Sequence, residues 1–280
     1  MAGSNISRRR FSTVAIRAAA VLAVGATVVG GTASAPAPAA GTAGAKPTIV
    51  LEHGAFADAS SWNAVIKRLQ ADGYPVVAPA DPLRGPAYDA ASLRGLTGHL
   101  PGPKILVGHS YGGSVISTAG ADDPEVKALV YVAAFLPAPG ETALELTGRY
   151  PGSTLAGALD PVTYPGPDGT STTDLYIRTD AFRHQFAADV PAGQAALMAA
   201  TQRPIAQRAL EEPATVAAWQ QKPSWDVVTT EDLNIPAAAQ LFMARRANAH
   251  VTEVAASHSV AVARPEVVVR VIEEAARATR

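Results

Sequence analysis

The 280-residue sequence contains no cysteine. That absence excludes a disulfide framework, a thiolate metal site, a cysteine nucleophile and a lipid-modified cysteine anchor. Beyond its first residues the chain also lacks any basic run. Positions 1–39 hold Arg8, Arg9, Arg10 and Arg17 and no acid, so the remainder is more acidic than the full chain, whose net charge is −1. A mildly acidic surface without clustered Lys or Arg makes nucleic acid and anionic membranes poor partners. Nor does the N-terminus carry an apolar run long enough for a stable membrane anchor. Ala18 to Val29 is about a dozen residues, where a spanning helix needs about 20.

What the N-terminus does contain is an address. Ser7-Arg-Arg-Arg-Phe11 precedes the apolar stretch, and small residues with alternating prolines follow, from Gly30 to Ala40. A basic region, a short apolar core and a small-residue cut site describe a secretory signal, here of the twin-arginine kind. Cleavage after Ala39 suits the small-residue rule, with Ala37 two positions before it. Residues 1–39 are therefore expected to be a signal peptide, 40–46 a flexible Ala/Gly/Pro tether, and 47–280 the functional domain. The mature protein is expected outside the cytoplasm. A cysteine-free chain suits a route that carries folded proteins.

The domain is organised around Lys104-Ile-Leu-Val-Gly-His-Ser-Tyr-Gly-Gly113. A strand-forming run enters Gly108-x-Ser110-x-Gly112, and a helix-compatible stretch, Ser114 to Ala121, leaves it. A serine between strand and helix must sit in a sharp, strained turn that lifts its hydroxyl above the carboxyl edge of a sheet. The same turn aims the Tyr111 N–H, at the positive end of a helix dipole, at whatever the serine attacks.

Around this elbow, short apolar runs alternate with helical patterns, which predicts a mostly parallel sheet flanked by helices. Strands are expected at Thr48–His53, Tyr74–Ala78, Val126–Ala133, Trp225–Thr230 and His250–Val254. Helices are expected after Asp58 or Ser60, over Asp89–Leu100, over 236–247 and over Pro265–Ala278. Between them, 136–224 loses periodicity. It carries helical patterns near 180–188, 192–201 and 205–210 and a Pro/Gly/Thr-rich stretch from Leu159 to Thr173. It reads as an inserted, mainly helical cap.

His53-Gly-Ala-Phe56, Gly108-His-Ser-Tyr-Gly-Gly113, Glu231-Asp-Leu-Asn-Ile-Pro236 and Ser257-His-Ser259 occur in the chain order of the α/β-hydrolase superfamily. The sequence resembles the branch holding small bacterial esterases, plant salicylate-ester esterases and hydroxynitrile lyases. The resemblance runs from Pro47 to the C-terminus and is weakest in the cap. It implies an α/β-hydrolase fold and a catalytic triad of Ser110, Asp232 and His258. By the same resemblance the oxyanion hole is the N–H of Tyr111 and the N–H of Ala55, with Phe56 the less favoured substitute.

The residues support those assignments. A serine hydroxyl needs a base within hydrogen-bond reach. His258, in a loop after the last strand and among small residues, can reach over the sheet edge. His109 touches Ser110 in sequence, but neighbours at an elbow point apart, so it is expected to pack. Asp232 follows strand 225–230 directly; Glu231 is the alternative, since one residue of register exchanges the two. The segment Val132–Pro137, from which some relatives draw the acid, contains none. Glu52 and Thr229 depart from the family, standing where relatives carry an aliphatic residue and a glycine.

The expected activity is hydrolysis of a small-molecule carboxylic ester through an acyl-enzyme, with no metal or organic cofactor. Two alternatives share the scaffold. One is hydroxynitrile-lyase-like C–C cleavage, which tends to use an altered oxyanion loop and an added lysine near the site; here His53-Gly54 is intact and the 231–240 loop has no lysine. The other is a non-catalytic binding protein, whose usual sign is a damaged triad.

Overall fold

The computed structural model describes residues 46–166 and 169–279. The expected signal peptide and all of the tether except Lys46 lie outside the described residues. The chain runs β1 (Thr48–Glu52), α1 (Asn63–Ala71), β2 (Val76–Val77), α2 (Pro86–Thr97), β3 (Lys104–His109), α3 (Gly112–Ala119) and β4 (Val126–Val132). The insertion follows, with α4 (Ala143–Gly148), α5 (Leu155–Ala158), β5 (Leu159–Pro165), β6 (Ser171–Ile177), α6 (Thr179–Phe186), α7 (Ala192–Thr201), β7 (Ile205–Ala206) and α8 (Gln207–Glu211). The core resumes with β8 (Ser224–Thr229), α9 (Ala237–Arg246), β9 (His250–Val254), α10 (Val260–Ala263) and α11 (Pro265–Ala278).

Six strands form one sheet in the order β2-β1-β3-β4-β8-β9, every neighbouring pair parallel. Its central strands are apolar on both faces, because helices cover both. Ile49 and Leu51 of β1, Ile105 and Val107 of β3, and Ala128 and Val130 of β4 face one core, filled from outside by Val65 and Leu69 of α1 and Val268, Val271 and Ile272 of α11. Val50, Leu106, Leu129 and Tyr131, the intervening residues, face the other core with Leu93 of α2, Val115 and Ile116 of α3 and Met243 of α9. The period-two alternation thus sorts one strand's side chains between two cores. The parallel order puts the carboxyl ends of β3, β8 and β9 along one edge, where the insertion also sits.

Two local differences from the sequence reading have physical reasons. Helix α2 starts at Pro86, earlier than the expected Asp89, since proline's missing N–H and fixed φ suit a first helical turn. The Pro/Gly/Thr-rich stretch from Leu159 to Thr173, part of an insertion expected to be mainly helical, holds most of an antiparallel hairpin, β5 with β6, extended by β7 into a three-stranded sheet. Every residue of β5 after Leu159 is exposed, so no apolar alternation marks it. Its main-chain ladder to β6 makes the strand. The insertion therefore contains helices near all three expected places, the third starting only at Gln207 because Ile205–Ala206 pair with β6, and a small sheet besides.

Candidate active site

Ser110 stands between β3 and α3 with φ +53°, in the left-handed region that non-glycine residues seldom adopt. The turn closes only because its neighbours lack side chains. A Cβ on Gly108 would lie 2.6 Å from Gly112 O, and one on Gly54 would lie 2.7 Å from the Ser110 Cβ. With Gly54 in place, the loop after β1 comes right up to the nucleophile candidate.

The three expected triad residues come together. His258 Nδ1 is 2.7 Å from Asp232 Oδ2, and His258 Nε2 is 2.8 Å from Ser110 Oγ. A carboxylate only accepts, so Nδ1 carries the proton, and the bare Nε2 receives the serine hydroxyl hydrogen. His258 is 1% exposed and Asp232 6%. Buried charge needs partners, and Asp232 has them. Oδ1 accepts the N–H groups of Asn234 and Ile235 at 2.8 and 3.0 Å, and Oδ2 accepts from Gln240 Nε2 and from the Thr229 hydroxyl at 3.0 and 2.9 Å. Glu231, the rival acid, faces solvent.

The amides of Ala55 and Tyr111 donate no hydrogen bond among the described residues, whereas the Phe56 amide is taken by Arg203 O at 2.9 Å. Ala55 and Tyr111 line the same cavity as Ser110, and the amide of the substitute is already occupied. Free backbone donors are what an oxyanion hole draws on.

His109 and His53 have other work. His109 donates from Nε2 to His258 O at 2.9 Å, and burial, then the neighbouring His258, pushes its pKa down to about 3. His53 accepts the Asp81 N–H at Nε2 and donates from Nδ1 to Gly54 O, at 3.0 and 2.9 Å, and burial pushes its pKa down to about 4. It braces the loop that presents Ala55. Glu52, fully buried at the end of β1, lies against Asp81, and Asp89 is close by. Burial and then Asp81 push the Glu52 carboxyl well above the usual range. Asp89 in turn accepts the Tyr111 hydroxyl at 2.7 Å. No local sequence pattern pairs Glu52 with Asp81 or Asp89, which lie in a loop and in the first turn of α2.

Ser110 and His258 both line a cavity of about 350 Å³. Phe135, Leu144, Tyr150, Leu155, Leu159 and Ile235 supply much of its wall, and among the described residues no Asp, Glu, Lys or Arg lines it. Phe182 and Phe186 are buried, with the Phe186 ring 5.0 Å from that of His258. Tyr164 is bonded to Asp174 on the hairpin.

The alpha/beta hydrolase family profile matches residues 49–271. The chain belongs to the α/β-hydrolase family. Among curated proteins this α/β-hydrolase is 29% identical to a pyrethroid hydrolase from Sphingobium wenxiniae, over 78% of this chain and 83% of that protein. A solved pyrethroid hydrolase from Sphingobium faniae is 25% identical with a TM-score of 0.66, covering 83% of this chain and 98% of that one. Polyneuridine aldehyde esterase, 17% identical, shares the fold with a TM-score of 0.72 over 82% of this chain and 98% of its own.

Proposed function

We propose that the protein is an exported serine hydrolase that cleaves neutral carboxylic esters through an acyl-enzyme. One observation carries this reading: a hydrogen-bond chain runs unbroken from Ser110 Oγ through His258 to Asp232, beside an apolar cavity. The likeness to proteins named pyrethroid hydrolase supports hydrolysis as the reaction.

In the proposed cycle, Ser110 Oγ bonds to the ester carbonyl carbon while its proton passes to His258 Nε2. The carbonyl oxygen, now negative, is held by the Ala55 and Tyr111 N–H groups. Asp232 stabilises the imidazolium. The oxyanion collapses, the C–O bond to the alcohol breaks, and the alkoxide leaves with the His258 proton. Water then gives a proton to His258 and attacks the acyl carbon. The acid departs and the proton returns to Ser110. An uncharged wall means that an ionised group on the arm inside the cavity loses its water without compensation.

The test is a pair of aryl ester series, one lengthening the acyl arm and one the alcohol arm. In one of them kcat/KM should climb as the arm fills the cavity, and a terminal carboxylate on that arm should cost about tenfold or more. No turnover in either series, or a preference for the charged arm, contradicts the reading. Export by the twin-arginine route belongs to the same proposal, supported by Arg8, Arg9 and the short apolar stretch after them.

A further inference from the structure

One end of a cap helix grips both loops that carry the acid and the base. On the histidine side, Asp189, just beyond α6, accepts the Ser257 N–H at Oδ2 over 3.1 Å and the Ser257 hydroxyl at Oδ1. The Ser259 hydroxyl donates to Phe186 O, the last residue of α6, over 2.8 Å. His258 is thus bracketed from the cap on both sides. On the acid side, Gln185 Nε2 donates to Leu233 O at 2.8 Å and to Asn234 Oδ1 at 2.7 Å. The backbone carbonyl of Leu233 accepts only, which fixes the orientation of the Gln185 amide and, through it, that of Asn234. Asn234 and Ile235 are the residues whose amides hold Asp232 Oδ1.

We infer that Asp189 and Gln185 are positioning residues, through which the cap sets His258 and Asp232 for the reaction; the inference rests on the serine-hydrolase reading above. Neither residue lines the cavity. Their loss therefore acts on the placement of the base and acid rather than on substrate binding. A serine hydroxyl and an imidazole must meet in a narrow geometry, and about 1 Å of misplacement costs on the order of 10²-fold. The core holds this loop through the Glu231 N–H on Ala256 O, the His109 Nε2–H on His258 O and the Val262 and Ala263 N–H groups on Ser259 O, whereas the side chains of the two serines beside His258 turn to the cap. In this arrangement the cap is a part of the catalytic frame as well as a wall of the cavity.

The experiment uses the mature chain, wild type and variants, and reads three things: kcat and KM for one aryl ester, the rate of fluorophosphonate labelling at Ser110, and the melting temperature. Asp189→Ala should lower kcat and the labelling rate about 10- to 100-fold, with KM within about twofold and the melt within a few degrees. Asp189→Asn keeps one acceptor for Ser257 and should recover part of the loss. Combining Asp189→Ala with Ser257→Ala should cost less than the product of the two single losses, because both remove one bond. Asp180→Asn breaks the exposed pair with Arg178 on the same helix and should change nothing. If Asp189→Ala does not fold, Asp189→Asn carries the test, and its kcat must fall at an unchanged melt. Full labelling and kcat in Asp189→Ala, or losses that only track the folded fraction, overturn the inference while leaving the serine-hydrolase reading intact. A wild type that fluorophosphonate does not label overturns both.

Discussion

Thr229 gives its hydroxyl hydrogen to the same oxygen of Asp232 that receives the His258 Nδ1–H, over 2.9 and 2.7 Å. Gln240 joins them, donating to both Asp232 Oδ2 and Thr229 Oγ1 at 3.0 Å. Thr229 is therefore a partner of the acid. Charge-assisted bonds of this kind fix a buried carboxylate in one orientation.

Asp232→Asn should accordingly cut kcat on the order of 10⁴-fold, because the amide can donate to the histidine and turn it to the wrong tautomer. Glu231→Gln, altering a solvent-facing residue, should leave turnover within about twofold. Steady-state kinetics on the two variants decides it, and the reverse ranking contradicts the assignment of the acid.

The pH profile separates the histidines. With pKa values pushed down to about 4 and about 3, His53 and His109 stay neutral above about pH 5. A rise of kcat/KM with pH beyond that point has neither as its source. His109→Gln should leave such a limb where it is. Asp232→Asn, which removes the charge facing His258, should displace or flatten it. A limb that vanishes in His109→Gln would put the base inside the elbow.

Much of this site was legible in the sequence because its signals are local. Gly108-x-Ser110-x-Gly112 between strand and helix states its own geometry, and small residues around His258 announce a loop free to reach over. Other features depend on pairings made only in three dimensions. The β5–β6 hairpin has no buried face to mark it. Asp81 and Asp89 meet Glu52 through a loop and a helix start. Asp189 meets Ser257 across 68 positions, and nothing in either neighbourhood points to the other.

Asp226, in the middle of β8, is fully buried, and neither carboxyl oxygen has a partner among the described residues. Burial pushes its pKa well above the usual range. The folded state thus holds this proton more tightly than the unfolded chain, whose value is about 3.9. That contribution is complete below about pH 4 and is lost as pH rises through the folded value. Asp226→Val, a β-branched residue suited to a buried strand, should therefore raise the melting temperature more at pH 8 than at pH 4. Each kcal/mol recovered appears as about 2–4 °C. A lower melt at pH 8, measured by circular dichroism, would mean that the carboxylate has a stabilising partner.

Replacing Arg8 and Arg9 by lysine should block secretion of the full chain, with the precursor retained in the cell. Unimpaired release into the medium would contradict the twin-arginine proposal. An uncleaved product in the membrane fraction would indicate an anchor instead.

The most direct measurement is intact-protein mass after fluorophosphonate treatment, run beside ester turnover, on wild type and Ser110→Ala. The wild type should gain one phosphonyl adduct at Ser110 and lose activity in proportion. Ser110→Ala should take up none and turn over no ester while melting normally, because only a hydroxyl at the elbow is gone. Near-wild-type turnover in a well-folded Ser110→Ala would contradict the account.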